Sequence, residues 1–301
     1  MMLAKLVLVG SLMGLVTMAS ADAAQPKLVK SSHAYGKNGR QVIDLVRPEK
    51  ASGSPVILFI HGGGWTSGAK SMAKDMQASH FAGQGFTWAA MNYRLVPGAS
   101  VEDQARDVAS AVRWLRRKSE SLGLDPSGVV LLGHSSGGHL AALVASDPRW
   151  LKEVGLSHDV IRGVVMLDAA AIDVPAMMAS GAATSPHYQA AFGKEPVRQK
   201  NLSPRAHVGP PDAARWLILY DRYHNKMTGN FSEQIAGALN ESGAEARAGG
   251  IPETTHMGML NNLGRPGDAT TREVNQFLSG LLRDAKPGPA ASPTATKAAP
   301  Q

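Results

Sequence analysis

Residues 128–146 constrain this chain more than any other stretch. Gly128-Val-Val-Leu-Leu132 is an apolar run of strand length. It passes without a linker into Gly133-His-Ser-Ser-Gly-Gly138, and His139 to Ser146 continues as a helix. An apolar strand that turns straight into a helix through paired glycines belongs in a parallel sheet covered by helices. The turn matches G-x-S-x-G. Such a turn forces its serine into strained backbone angles and pushes the hydroxyl out at the strand end. Gly133 and Gly137 remove side chains that would collide there. The helix amino terminus brings unpaired N–H groups and the positive dipole end beside Ser135.

The rest of the chain repeats this alternation. Strands are expected at 41–46 (an edge), 55–60, 86–93, 163–167, 216–220 and, more weakly, 246–251, with helices at 71–84, 101–122, 232–242 and 270–283. Residues 24 to about 37 read as a polar lead-in. Strands alternating with helices predict an α/β fold: a mostly parallel central sheet with helices on both faces. Ligands bind such sheets at the carboxyl ends of the strands, and every motif below follows a predicted strand.

His61-Gly-Gly-Gly-Trp65 follows the strand at 55–60. Consecutive glycines let backbone N–H groups approach a ligand, which suits an oxyanion hole. No Lys-Ser/Thr follows, which argues against a phosphate loop. His61 precedes the glycines and reads as a structural hydrogen-bonding residue. His256, in Pro252-Glu-Thr-Thr-His-Met-Gly258, lies after the last strand and before the last helix. A base for Ser135 must come from a loop at this same sheet edge.

Taken together, HGGGW, Asn92-Tyr-Arg-Leu95, Ala111-Val-Arg-Trp114, Gly123-Leu-Asp125 and GHSSGG resemble the esterase/lipase α/β-hydrolases, on the branches near hormone-sensitive lipase and arylformamidase. The resemblance covers roughly residues 40–282. It implies the α/β-hydrolase fold with a small cap segment. It further implies hydrolysis of a small-molecule carboxylic ester through an acyl-serine, with no cofactor and no metal. Ser135 would be the nucleophile and His256 the base, with oxyanion donors at Gly63, Gly64 and Ser136. Trp65, where many lipase-like members carry Phe, leans toward the arylformamidase side, so an amidase or formamidase using the same serine is the second reading. A non-catalytic binding protein on this fold is the third.

The triad acid is the open position. The family acid follows the strand at 216–220, where the chain reads Tyr220-Asp-Arg-Tyr-His-Asn225. Asp221 is the carboxylate there and is the expected acid, although it comes earlier than the pattern asks. Asp168 and Asp173 are the alternatives, and Asn225 or a water could orient the imidazole instead. Residues 174–211 read as a cap whose Met177, Met178, Tyr188 and Phe192 either line a pocket or pack the cap.

The two ends fall outside the predicted domain of residues 24–284. Residues 1–23 combine a positive start, an apolar run and A-x-A sites, the pattern of a secretory signal. Export, to the periplasm or beyond, is therefore expected. Residues 285–301 are rich in Pro and Ala and read as a disordered tail. No later apolar run approaches the roughly 20 residues of a membrane-spanning helix. The chain has no cysteine, which excludes a thiol nucleophile and disulfides. Its formal net charge of +7 is spread along the sequence. The one small cluster, Arg113, Arg116, Arg117 and Lys118, reads as a solvated helix face and not as a nucleic-acid surface. Oligomeric state is left open.

Overall fold

The computed structural model describes residues 26–181, 184–223 and 226–284. The expected signal at 1–23 and tail at 285–301 lie outside them. Eight strands form one sheet among the described residues: β1 (Leu28–Ala34), β2 (Val42–Pro48), β3 (Ser54–Ile60), β4 (Thr87–Met91), β5 (Leu124–His134), β6 (Ile161–Leu167), β7 (Arg215–Asp221) and β8 (Glu245–Ile251). Their order is β1-β2-β4-β3-β5-β6-β7-β8. β1 with β2 and β2 with β4 pair antiparallel, and every other pair is parallel.

The central strands read as continuous apolar runs because both their faces are covered. Along β3, Val56, Leu58 and Ile60 join one core layer and Ile57 and Phe59 the other. The same alternation holds in β5, with Leu131 against Leu132, and in β6, with Met166 against Leu167. This is the period of two that a pleated strand imposes. Burying each such side chain fully contributes about 1.5–3 kcal/mol. One layer is closed by α2 (Val101–Leu122), α3 (Ser136–Ser146) and α8 (Lys226–Glu241), the other by α1 (Asp75–Gly83) and α10 (Ala269–Asp284). α2 has the bounds its sequence predicts. Ser100 and Asp103 form a capping box at its start, and Gly123 ends it in the left-handed region at φ 66°.

Two expectations need correction. Residues 28–34 form β1, the true sheet edge, where a polar lead-in was expected. Their side chains are mostly half-buried or exposed, so the strand is held by backbone pairing to β2 and carries no apolar signal. α8 begins at Lys226, six residues before the predicted start. Thr228, Gly229 and Asn230 are weak helix formers, and tertiary packing overrides them.

Between β6 and β7 the chain forms three short helices, α5 (Val174–Ala179), α6 (Pro186–Phe192) and α7 (Pro196–Asn201). α4 (Arg149–Glu153) follows α3, and α9 (His256–Asn261) follows β8. Among the described residues no helix is long and apolar enough to cross a membrane.

Candidate active site

Strand register brings the motif residues to one edge. Ile60 pairs with Gly133, His134 with Leu167, Leu167 with Leu219, and Asp221 with Ile251. The residues just beyond these ends are therefore neighbours: the 61–65 loop, Ser135, Asp168 and the loop leading to His256.

Ser135 has φ 56° and ψ −123°, the strained conformation its motif predicts. Gly137 shows why the turn requires glycine: a Cβ there would lie 2.1 Å from the Ile60 carbonyl oxygen. The Ser135 N–H donates to the Leu167 carbonyl, and its own carbonyl accepts from Gly138, His139 and Ala170. The backbone is thus fixed on both sides, while Oγ makes no hydrogen bond to a described residue. A loose hydroxyl is usual before substrate tightens the site.

The acid expectation is corrected here. The carboxylate on His256 is Asp168: Nδ1 donates to its Oδ2 at 2.5 Å. Asp221 does not hold the place expected of it. Its backbone N–H donates to Asp168 Oδ1 at 3.3 Å, and its own Oδ1 accepts from the Tyr223 N–H. Asp221 is the last residue of β7, whereas Asp168 leaves β6, the strand beside β5 and one step nearer Ser135. A carboxylate on that strand reaches the imidazole directly, and Asp221 instead supports Asp168. Asp173 is the N-cap of α5, accepting from the Ala176 N–H. Asn225 lies outside the described residues. The Asp168 side chain is fully buried while that of His256 is 44% exposed, so the carboxylate is dry and the imidazole open to a ligand.

The glycine loop abuts the serine turn: a Cβ on Gly62 would lie 3.0 Å from Ser135 Cβ. Gly63 has φ 124°, and a Cβ there would strike the Ser67 carbonyl at 2.2 Å. Among the described residues the N–H groups of Gly63 and Gly64 donate to nothing, and Ser136 opens α3. Three donors thus stand at the same edge as Ser135.

Buried side chains hold this loop from behind. His61 Nδ1 donates to the Gly62 carbonyl at 2.7 Å, and its ring stacks on Tyr93, whose hydroxyl donates to the His61 carbonyl. Arg94 binds the buried Asp107 through several hydrogen bonds. Arg40 donates to the Tyr93 and Gly68 carbonyls. The Asn92-Tyr-Arg segment is therefore scaffold for the loop. Trp65 Nε1 donates to His139 Nδ1 at 3.2 Å, and His139 Nε2 donates to the Leu202 carbonyl at 2.8 Å. Burial pushes the pKa of His61 and of His139 down to about 4, so both rings are neutral at neutral pH.

The cap packs onto the same loop. Tyr188 and Phe192 of α6 meet the Trp65 ring edge-on, at 5.2 and 4.7 Å between centroids. His187 Nδ1 bonds the Thr66 hydroxyl at 2.8 Å. Met177 and Phe192 are buried and pack the cap. His139 and His187 carry no local sequence signal, since their roles depend on a distant segment arriving. Two surface cavities of about 360 and 380 Å³ lie elsewhere, one beside Trp88 and Lys70, the other beside Arg198 and Val197. Neither is lined by Ser135, Asp168 or His256, so chemistry and not cavity size marks this edge.

Residues 43–163 match the BD-FAE family model. Among curated proteins the chain is similar to esterase LipC of Mycobacterium tuberculosis, 31% identical over 132 residues, 42% of this chain and 32% of LipC. It is also similar to isoprenylcysteine alpha-carbonyl methylesterase ICME of Arabidopsis thaliana, 30% identical, over 38% of this chain and 27% of that protein. The chain thus matches about a third or less of the length of these relatives. Among solved structures, esterase B of Lactobacillus rhamnosis superposes with a TM-score of 0.70 at 21% identity, covering 85% of each chain. Esterase 2 of Thermogutta terrifontis phosphonylated by sarin gives 0.69 at 23% identity, covering 84% of this chain and 95% of that one. These likenesses give the α/β-hydrolase fold.

Proposed function

We propose that this chain, which is similar to esterases of the α/β-hydrolase fold, hydrolyses small-molecule carboxylic esters through an acyl-serine. One observation carries the reading: the dry Asp168 carboxylate binds His256 Nδ1 at 2.5 Å, beside a serine held in the strained turn that exposes its hydroxyl.

With Nδ1–H committed to Asp168, the free Nε2 lone pair can take the Ser135 proton as Oγ attacks the ester carbonyl. The buried carboxylate stabilises the resulting imidazolium. The tetrahedral oxyanion accepts hydrogen bonds from the N–H groups of Gly63, Gly64 and Ser136, at the positive end of α3. Collapse expels the alcohol, which takes its proton from His256. Water, deprotonated by the same base, then attacks the acyl-serine and regenerates Ser135.

Turnover of a short-chain aryl ester tests this. Ser135→Ala removes one hydroxyl and should lower kcat by at least about a thousandfold, as loss of a nucleophile does in other triads, with the fold intact. Retention of more than about a hundredth of the original rate in Ser135→Ala would overturn the reading.

A further inference from the structure

His134 ends β5 immediately before Ser135, and its ring is buried. Its Nε2 lies 2.8 Å from the backbone carbonyl of His256. The two rings stand 4.7 Å apart between centroids, inclined by 41°. A carbonyl can only accept, so Nε2 carries the proton and donates. Nδ1 is then a bare acceptor, buried and without a partner among the described residues. It points toward Gly62, where a Cβ would come within 3.1 Å of it.

An orphaned buried nitrogen costs stability. An apolar side chain would fill this place without that cost, so packing alone gives no reason for a histidine. The Nε2 donor does. Burial, reinforced by the neighbouring His256, pushes the His134 pKa down to about 4, so the ring stays a neutral donor across the neutral range. Histidine 256 thereby has two attachments: its side chain to Asp168 and its backbone to the residue beside Ser135.

We propose that His134 is a positioning residue for the base, tying the His256 carbonyl to the serine turn so that imidazole and hydroxyl keep their separation. The proposal rests on the Ser135–His256 reading above. His134 touches no reacting atom, so its loss should misplace the imidazole and slow turnover without weakening substrate binding.

Three variants separate this donor from bulk. Glutamine puts an amide N–H where Nε2 stands, asparagine only where Nδ1 stands, and phenylalanine keeps the ring shape with no donor. In the full chain, with an aryl ester as substrate, His134→Asn and His134→Phe should lower kcat about 10- to 100-fold with KM within about twofold. His134→Gln should recover most of that loss. Melting midpoints identify the variants that fold, and if His134→Phe does not, His134→Asn decides. Folded His134→Asn with kcat within about twofold of the original would overturn the proposal. So would a change confined to KM, or a His134→Gln no faster than His134→Asn. Ser135→Ala, run alongside, separates the two failures: turnover there defeats the underlying reading, whereas a dead Ser135→Ala with an unaffected His134→Asn defeats the positioning role alone.

Discussion

Five non-glycine residues among those described hold positive φ: Trp65, Ser135, Asp168, Ala171 and Glu253. All five stand on loops leaving the carboxyl ends of strands, around the serine and the histidine. Each such conformation costs about 1–3 kcal/mol and persists only where its surroundings over-determine it. At Asp168 the surroundings are visible: its N–H donates to the Leu219 carbonyl at 2.7 Å while its carboxylate receives the Asp221 N–H and His256 Nδ1. Asp168→Asn keeps the shape but removes the charge that, in the proposed mechanism, stabilises the imidazolium. It should lower kcat by about 10⁴-fold with KM little changed, as loss of the triad acid does elsewhere. Asp221→Asn should cost far less, because Asp221 meets Asp168 through its backbone N–H, which the substitution leaves in place. Steady-state kinetics on the two variants check this, and a larger loss at Asp221 would reverse the assignment. The places of Ser135 and His256 at one sheet edge were legible because each sits in a local pattern of strand, glycine and helix. The acid was not, because which carboxylate reaches the imidazole depends on strand order. No local signal separated the two carboxylates, since Asp168 and Asp221 each follow an apolar run directly.

At the scale of elements, α6 is the piece that joins cap to core. Phe192 is wholly buried and meets Trp65, His139 and Tyr188 ring to ring. Trp65 in turn ends the glycine loop, and its carbonyl accepts from Gln104 and Val96. The cap is therefore part of what shapes that loop. Phe192→Ala should destabilise the protein by about 3–5 kcal/mol, the usual cost of emptying an aromatic core site. Chemical denaturation measures this. A loss below about 1 kcal/mol would show that the cap docks independently of this ring. A long segment between β6 and β7 was readable from the sequence. Its docking was not, because His187, Tyr188 and Phe192 follow no amphipathic period long enough to mark a buried face. β1 was missed for a related reason: an edge strand held by backbone pairing leaves no alternation to read.

The whole molecule should be sensitive to mild acid. His61, His134 and His139 are held neutral by burial, each with its pKa lowered from 6.5 to about 4. In the unfolded chain all three take up protons near 6.5. Between pH 6.5 and about 4 the unfolded state therefore binds protons that the folded state does not, and stability falls as pH falls through that window. Three such groups give a slope of up to about 4 kcal/mol per pH unit. Most carboxylates titrate below pH 5, so the stretch from pH 6.5 to 5 isolates the histidines. Melting midpoints should drop steeply across it, and a flat profile there would contradict their buried neutral state.

In the proposed function one serine, and not the fold in general, carries the chemistry. Esterase 2 of Thermogutta terrifontis is phosphonylated by sarin, which recommends a fluorophosphonate as the probe. The full chain, incubated with it and then digested, should carry a single phosphonyl group on the peptide containing residues 133–138, at Ser135. Ser135→Ala should take none. Absence of labelling in the folded protein, or an adduct on any other residue, would contradict the assignment of Ser135 as nucleophile.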